Sequence, residues 1–333
     1  MHTGGSTHAM QDGTLFTVGI PVRSGMPWLR RAIKSLIAQT CSDFEVLVIL
    51  DGPDPESLAY LKTIHQLRLR VMERPARGLV PTLNELLDQC RTPWLVRQDA
   101  DDISYPQRIE KLRDALLTYP RAGMLCSRAR YDSEGHAVGC FRSSHGSPAA
   151  LRRTVQSGRL LSFCHSSVAL HVTTARLVGA YRPIPFAEDA DLWWRMALLC
   201  DIHSIPEILV GFRQNQSSVS TLHHDQQQTA GFYVQYLLLS MLWGLPPRPF
   251  EEVQNSLATL VPRRWSRAKL LLRSGNIALG EKRIFPALAH FARAFAVDPL
   301  YLLQRLHDEF TPRLLSNGLP PETFWRIRRC LWR

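Results

Sequence analysis

Phe44 to Leu50 is a near-continuous apolar run, Phe-Glu-Val-Leu-Val-Ile-Leu, and it ends in Asp51-Gly52-Pro53. A run without polar alternation marks a strand buried on both faces, the habit of a parallel sheet covered by helices. The flanking pattern agrees. Leu15–Val22 reads as a first strand, and Pro27 opens a helix with Leu29, Ile33, Leu36 and Ile37 on one face. A helix from Pro55 to Gln66, a short strand Leu69–Met72 and a helix Pro81–Cys90 follow. After them come a strand Trp94–Val96 and a helix Pro106–Tyr119. Strands alternating with helices in this way predict βαβ units and a mainly parallel sheet.

From Ala122 to Gln214 the pattern is mixed. Strands are expected at Met124–Tyr131, Val138–Arg142, Ser167–His171 and Leu209–Arg213, and helices at Pro148–Gln156 and Asp189–Leu199. Beyond Thr229 it turns all-helical. Ala268–Pro299 reads as a helical hairpin whose second half resembles the second helix of a tetratricopeptide repeat. One such hairpin makes no solenoid and reads as a cap or docking element. The 333 residues then divide into a disordered N-terminus (1–13), an α/β catalytic domain (14–228) and a helical extension with a basic tail (229–333).

Seven scattered cysteines, odd in number and without a CxxC pair, argue for reduced thiols in a cytosolic setting, against a disulfide framework or zinc site. The polar stretch Met1–Gly13 lacks the apolar region of a signal peptide. The longest apolar stretch, Tyr233–Leu245, is too short to span a bilayer. The net charge of +11 is uneven: from Arg263 to Arg333 there are 14 Arg/Lys against five Asp/Glu, a net +9. The last ten residues, Phe324-Trp-Arg-Ile-Arg-Arg-Cys-Leu-Trp-Arg333, interleave aromatics with arginine. Such a segment suits an anionic membrane surface, where each basic residue contributes about 1 kcal/mol. A solvated helix face is the plainer alternative, and nucleic acid the weakest of the three.

The chemistry concentrates in carboxylates at strand ends, where ligands bind in open α/β sheets. Asp99-Ala100-Asp101-Asp102 directly follow Trp94-Leu95-Val96. Three carboxylates at the exit of a buried strand repel one another, and Asp is a poor strand former. A hard cation such as Mg²⁺, held by one or two carboxylates plus substrate phosphates, accounts for the cluster. A solvated turn that caps the next helix is the competing explanation. Asp51 ends another buried strand and reads either as an acceptor for a nucleobase or ribose edge or as turn chemistry. Arg74, Arg77 and Gly78 precede a helix, where a guanidinium meets either a pyrophosphate or solvent. Glu188-Asp189-Ala-Asp191 open a helix with an apolar face of Leu192, Met196 and Leu199. There acidic residues favour the macrodipole, and a rigidly anchored carboxylate can also take a hydroxyl proton. His165 and Arg213 are either satisfied polar residues at strand ends or contacts to an acceptor or phosphate.

Taken in order, these segments resemble a family 2 glycosyltransferase. Val18-Gly-Ile-Pro21-Val resembles the family's opening strand, and Asp43-Phe-Glu-Val-Leu-Val-Ile-Leu-Asp51-Gly its second strand and nucleotide-binding Asp. Arg77-Gly-Leu with Leu83-Asn84 resembles the next loop and helix. Gln98-Asp-Ala-Asp-Asp-Ile with Pro106-Gln-Arg-Ile-Glu-Lys resembles the metal-binding DxD segment. Glu188-Asp189 with Asp191-Leu-Trp resembles the acidic motif that carries the base. The resemblance covers residues 15–220 and implies a GT-A type fold, a Rossmann-like mixed sheet flanked by helices. It also implies inverting, non-processive transfer from a nucleotide-diphosphate sugar to a hydroxyl on a glycan or lipid-linked acceptor, in cell-surface polysaccharide or glycolipid assembly. Carried over, Pro21, Asp51, Arg77 and Asp99 bind the nucleotide, and Asp101 with Asp102 holds Mg²⁺ or Mn²⁺. Asp189 is the base, and Glu188, His165 and Arg213 lie on the acceptor side. A cytoplasmic enzyme, peripheral at the cytoplasmic membrane face, is the implied setting.

The chain departs from the family at Arg23, where an aromatic is commoner, and at Asn215, where a His often stands. It lacks the QxxRW motif of processive synthases. Two further classes stay open. One is a degenerate relative that binds nucleotide-sugar or protein through its helical extension. The other is a sugar nucleotidyltransferase, which would open with a Gly-rich basic loop that Pro21-Val-Arg-Ser-Gly matches poorly.

Overall fold

The computed structural model describes residues 13–133, 136–215 and 218–310. The expectations for the first residues and for the aromatic and basic tail from Phe324 onward lie outside the described residues. The first half alternates strictly: β1 (Phe16–Val22), α1 (Trp28–Ile37), β2 (Phe44–Asp51), α2 (Pro55–Leu61), β3 (Leu69–Arg74), α3 (Leu79–Gln89) and β4 (Trp94–Arg97). Then come β5 (Ile103–Ser104), α4 (Arg108–Thr118), β6 (Ala122–Ser133), β7 (His136–Cys140), α5 (Pro148–Gln156), β8 (Val168–His171), α6 (Val172–Leu177), α7 (Glu188–Leu199) and β9 (Asp201–Arg213). Helices close the described chain: α8 (Val219–Leu222), α9 (His224–Trp243), α10 (Phe250–Ala258), α11 (Arg263–Gly280), α12 (Ile284–Val297) and α13 (Pro299–Phe310).

Among the described residues nine strands form one sheet in the order β3-β2-β1-β4-β8-β6-β9-β5, with β7 paired to β6. β3, β2, β1 and β4 are mutually parallel, and β8 runs antiparallel between β4 and β6. The sheet is therefore mixed. Strand order reverses direction at β1, so the carboxyl ends of β1, β2 and β4 border a crevice of the kind that binds ligands in α/β folds.

Alternation along β2 explains the two cores. Val46, Val48 and Leu50 face α1 residues Leu29, Ile33 and Leu36, while Leu47 and Ile49 join α3 residues Leu83, Leu86 and Leu87. Every side chain of β1 is buried, as expected of a strand covered on both faces. The second core also takes Leu192, Trp193 and Met196 of α7 and Ala230, Val234 and Leu238 of α9, so α9 is anchored to the sheet layer through α7. Asp54 starts α2: its Oδ1 accepts the Ser57 N–H at 3.0 Å and Pro55 occupies the first turn.

Several elements differ from the sequence expectation: α2 stops at Leu61 rather than Gln66, β5 and α6 are additional, and β9 starts early. β9 begins at Asp201, well before Leu209. Pro206 hides it, because a proline cannot donate to the ladder. The pairing with β6 accommodates Pro206 and Glu207 by a bulge, passing from Ser127↔Ile205 to Arg128↔Ile208. α6, Val-Thr-Thr-Ala-Arg-Leu, is rich in β-branched residues of low helix propensity, and its helicity is imposed by packing of Val172 and Ala175. The expected hairpin is present as α11 and α12, with the Phe291 ring seated against Gly275. Among the described residues no helix is long and apolar enough to cross a membrane.

Candidate active site

β4 delivers Arg97 to Asp102 to the carboxyl edge of the sheet, and the two sides of this segment do different work. Asp99 is anchored from below. Its Oδ1 accepts Arg97 Nη2 at 2.6 Å, its Oδ2 accepts the Ser166 hydroxyl at 3.0 Å, and its own N–H donates to Ser166 Oγ at 2.9 Å. Burial opposes ionisation of Asp99, but Arg97 outweighs it and holds the carboxyl below the ordinary range. Arg108 stitches the base of the segment: its guanidinium donates to the Arg97 carbonyl at 2.8 Å, to Ser104 Oγ at 2.9 Å and to the Ser166 carbonyl.

Asp101 and Asp102 both meet Arg213 at the end of β9. Asp101 Oδ2 lies 3.5 Å from Arg213 Nη1, and the Arg213 guanidinium sits 3.4 Å from the Trp28 ring centroid. Burial, then the neighbouring Asp99, pushes the Asp101 carboxyl up to about 6. Asp102 is 1 % exposed; its Oδ1 accepts the Arg213 N–H at 2.8 Å, while its Oδ2 is buried with no hydrogen-bond partner among the described residues. Burial and the charges of Asp99 and Asp101 raise Asp102 well above the carboxylate range. Three crowded carboxylates, one with an orphaned oxygen, fit a divalent cation that would offset their repulsion. Among the described residues no three His, Cys, Asp or Glu side chains converge as a complete metal site. The fit is therefore to an ion held by one or two carboxylates plus ligand phosphates, as Mg²⁺ is commonly bound.

At the end of β2, Asp51 clamps the loop before α3. Its Oδ1 accepts the Arg77 N–H at 2.7 Å and its Oδ2 the Gly78 N–H at 3.0 Å. Gly78 has φ +92°, a conformation that favours glycine. Arg77 thus meets Asp51 through its backbone, with its side chain exposed. Arg23 donates to the Asp51 carbonyl at 2.6 Å, so the residue in the aromatic's place lies directly over this corner. Arg74 faces away, paired with Glu85 at 2.5 Å. Pro21 is buried in β1, opposite Ile49.

α7 brings the second acidic cluster. Asp191 is fully buried between Arg182 and Arg195, with Arg195 Nη2 at 2.7 Å, and Arg195 also donates to the carbonyls of Val178 and Ala180. That ion-pair triad fixes the start of α7. Just before it, Phe186 is a non-glycine residue at φ +63°, its ring stacked on His223 with centroids 4.8 Å apart. Glu188 and Asp189 project from the first turn. Burial, then Asp189, pushes Glu188 up to about 8. Burial pushes Asp189 up to about 6, against the Ala190 N–H that its Oδ1 accepts at 2.6 Å. Both feel the charges of Arg97 and Asp99, so the two acidic clusters share one electrostatic site.

His165 lies near Asp99 and Arg97. Its Nε2 is 2.9 Å from the Tyr181 hydroxyl and its ring meets Trp193 edge-on at 5.7 Å. Burial, then Arg97, holds His165 well below its ordinary value, so it is neutral. The structure thus gathers Asp51, Arg77, Asp99, Asp101, Asp102, His165, Glu188, Asp189 and Arg213 along one edge of the sheet. It puts Arg213 beside Asp101 rather than beside α7. Sequence reasoning missed Arg97, Trp28, Ser166 and Tyr181. Only Arg97 left a signal, a charged residue inside a buried strand.

The mixed sheet with its flanking helices is a GT-A type fold. Residues 17–162 match the family model described as Glycosyl transferase family 2, and the chain is a glycosyltransferase. Glu188 and Asp189 lie beyond the matched segment. The chain is 28% identical over 204 residues to an uncharacterized glycosyltransferase of Haemophilus influenzae, covering 60% of this chain and 75% of that one. It is 27% identical over 197 residues to the amylovoran biosynthesis glycosyltransferase AmsE of Erwinia amylovora, covering 58% and 73%. Among solved structures, S. aureus TarS 1–349 in complex with UDP-GlcNAc superposes with TM-score 0.56 at 13% identity, covering 89% of this chain and 92% of that one. The Pyrobaculum calidifontis mannosyltransferase PcManGT in complex with GDP-Man and Mn²⁺ gives 0.51 at 16%, covering 89% and 81%.

Proposed function

We propose that this glycosyltransferase moves a sugar from a nucleotide-diphosphate sugar to a hydroxyl acceptor, with inversion and with a divalent ion, in assembly of a cell-surface glycan. The observation that carries the reading is the pairing of two acidic clusters on one sheet edge, Asp99–Asp102 from β4 and Glu188–Asp189 from α7. Asp51, Arg77 and Asp99 would bind the nucleotide, Asp51 by shaping the loop at residues 77 and 78. Asp101 and Asp102 would hold Mg²⁺ or Mn²⁺, which when bound supplies charge neutralisation for the diphosphate. Asp189 would take the acceptor proton as the new bond forms, and Glu188 and His165 would line the acceptor side. Its raised pKa favours this role, since a base works best when its pKa lies near the working pH. AmsE, named for amylovoran biosynthesis, supports a polysaccharide product, and the donor complexes of the two structural neighbours support a nucleotide-sugar.

The same reading places the chain at an anionic membrane face. Net +9 from Arg263 onward supports it, as do Ile284, Phe285, Leu288 and Phe295, apolar side chains that α12 turns outward. The experiment for donor binding is a thermal-shift screen of UDP- and GDP-sugars with Mn²⁺ or Mg²⁺. A donor at a hundred times its Kd stabilises by about 2.7 kcal/mol. No shift with any nucleotide-sugar refutes the assignment.

A further inference from the structure

Arg97 is the residue of the site that the proposed reaction leaves without a task. Along β4, Leu95 packs with α3 and α7, and alternation sends the Arg97 side chain to the same face. It carries a guanidinium into the interior at 1 % exposure, where arginine is found almost only in pairs. Asp99 supplies the pairing through Nη2 at 2.6 Å, while Nε and Nη1 are buried with no hydrogen-bond partner among the described residues. Buried donors left open are rare, and they concentrate where a fold serves chemistry. The charged and titratable groups that act on Arg97 come from separate elements. They are Asp99 and Asp102 after β4, Tyr181 and His165 from the loops beneath α7, Glu188 and Asp189 from α7, and Arg108 from α4. Burial holds His165 well below its ordinary value, and Arg108 donates to Ser104 and to two carbonyls. Arg97 is a buried cation bonded to Asp99 whose charge also reaches Glu188 and Asp189.

We propose that Arg97 is a positioning residue for sugar transfer: it orients the Asp99 carboxylate toward the donor and supplies the buried positive charge against which the Glu188–Asp189 start of α7 is held. The second half rests on the assignment of Asp189 as the base. The first half does not. A glutamine is uncharged and two bonds shorter, so it cannot pair with Asp99 as the guanidinium does. Lysine keeps the charge but lacks the planar fork that reaches the carboxylate and leaves donors to spare. The two variants therefore separate charge from geometry.

The test uses the full chain with Arg97→Gln, Arg97→Lys and Asp189→Asn. UDP with Mn²⁺ and GDP with Mn²⁺ are the binding probes. UDP release from UDP-GlcNAc and GDP release from GDP-mannose are the turnover probes, each followed from pH 5 to 9. Arg97→Gln is expected to weaken nucleotide binding at least fivefold and to lower kcat at least tenfold. It should also move the acid limb of the kcat profile to higher pH, because the carboxylates of α7 have lost their cation. Arg97→Lys is expected to return the limb toward its wild-type position while nucleotide binding stays weakened. Wild-type binding and kcat in Arg97→Gln overturn the proposal. So do equal losses in both variants with an unmoved limb, which mark a purely structural residue, and so does failure of both variants to give a cooperative melt. Full turnover in Asp189→Asn removes the base assignment instead, and the binding arm then judges the Asp99 half alone.

Discussion

Asp102 receives the backbone N–H of Arg213 on Oδ1 at 2.8 Å, and the same arginine places its guanidinium 3.5 Å from Asp101. One residue of β9 therefore engages both carboxylates assigned to the divalent ion. The guanidinium sits where a cation is wanted, while Asp102 is held by the backbone and stays fixed. On the proposed assignment, Asp101 would be the carboxylate that exchanges Arg213 for a metal. Wild-type protein is expected to bind UDP or GDP at least about tenfold more tightly with Mn²⁺ than without, about 1.4 kcal/mol. Asp101→Ala should abolish that difference. Calorimetric titration of both proteins with and without Mn²⁺ checks it, and four equal affinities refute it.

Asp189→Asn would remove the proposed proton acceptor and keep the shape. Turnover should fall by about 10²–10⁴-fold, the usual size of general-base catalysis, with donor affinity nearly unchanged. The sign of the pH dependence follows from burial. Asp189 is raised to about 6, and only its ionised form accepts a proton. Activity should therefore be present above pH 6 and be lost as pH falls through that value. A variant that retains more than about a tenth of wild-type turnover, or a profile flat from pH 5 to 8, contradicts the assignment.

Much of this was legible in the residues. The apolar run of β2 announced the parallel half of the sheet, and the carboxylates at the ends of β2 and β4 pointed to the edge proposed as the site. What stayed hidden is physical in origin. Pro206 broke the strand signal of β9 because a bulge absorbs it. Asp191 looked like one more acidic residue at a helix start, and only the fold shows it locked between Arg182 and Arg195. Ser166 and Tyr181 are ordinary residues far along the chain from Asp99, and their positions depend on β8 and the loop before α7 packing beside β4. Local spacing cannot report such contacts.

The tight seam between β6 and the end of α7 gives a stability test. A Cβ at Gly123 would lie 2.4 Å from Cys200 Sγ and 2.5 Å from Cys200 Cβ, so the backbone must move to admit it. Gly123→Ala should cost about 1–3 kcal/mol, the usual range for overpacking. Melting temperature should drop by a few degrees, at about 2–4 °C per kcal/mol for a domain of 150–250 residues. Cys200→Gly in the same chain should recover part of the loss, since the two sites are in contact and couple. An unchanged melting temperature in Gly123→Ala rejects the seam as described.

Membrane docking has the most to lose in a direct assay. α12 buries Ala287 and Ala294 against the rest of the chain and turns Phe285 outward at 85 % exposure, beside Ile284, Leu288 and Phe295. Lys282 and Arg283 immediately precede it, and the chain from Arg263 onward is net +9. Apolar insertion plus charge attraction should bind vesicles that contain anionic lipid, and binding should weaken as salt rises. Co-sedimentation compares the full chain, a chain ending at Pro320, and a full chain with Phe285→Ser and Leu288→Ser. Loss of pelleting in the shortened chain locates the anchor in Phe324–Arg333, and loss in the double variant locates it on α12. Either loss should come with an unchanged melting temperature. A sharp fall in melting temperature on shortening would instead mean that Phe324, Trp325, Leu331 and Trp332 pack against the helices. Equal pelleting by all three chains, or by none, rules out membrane docking through this region.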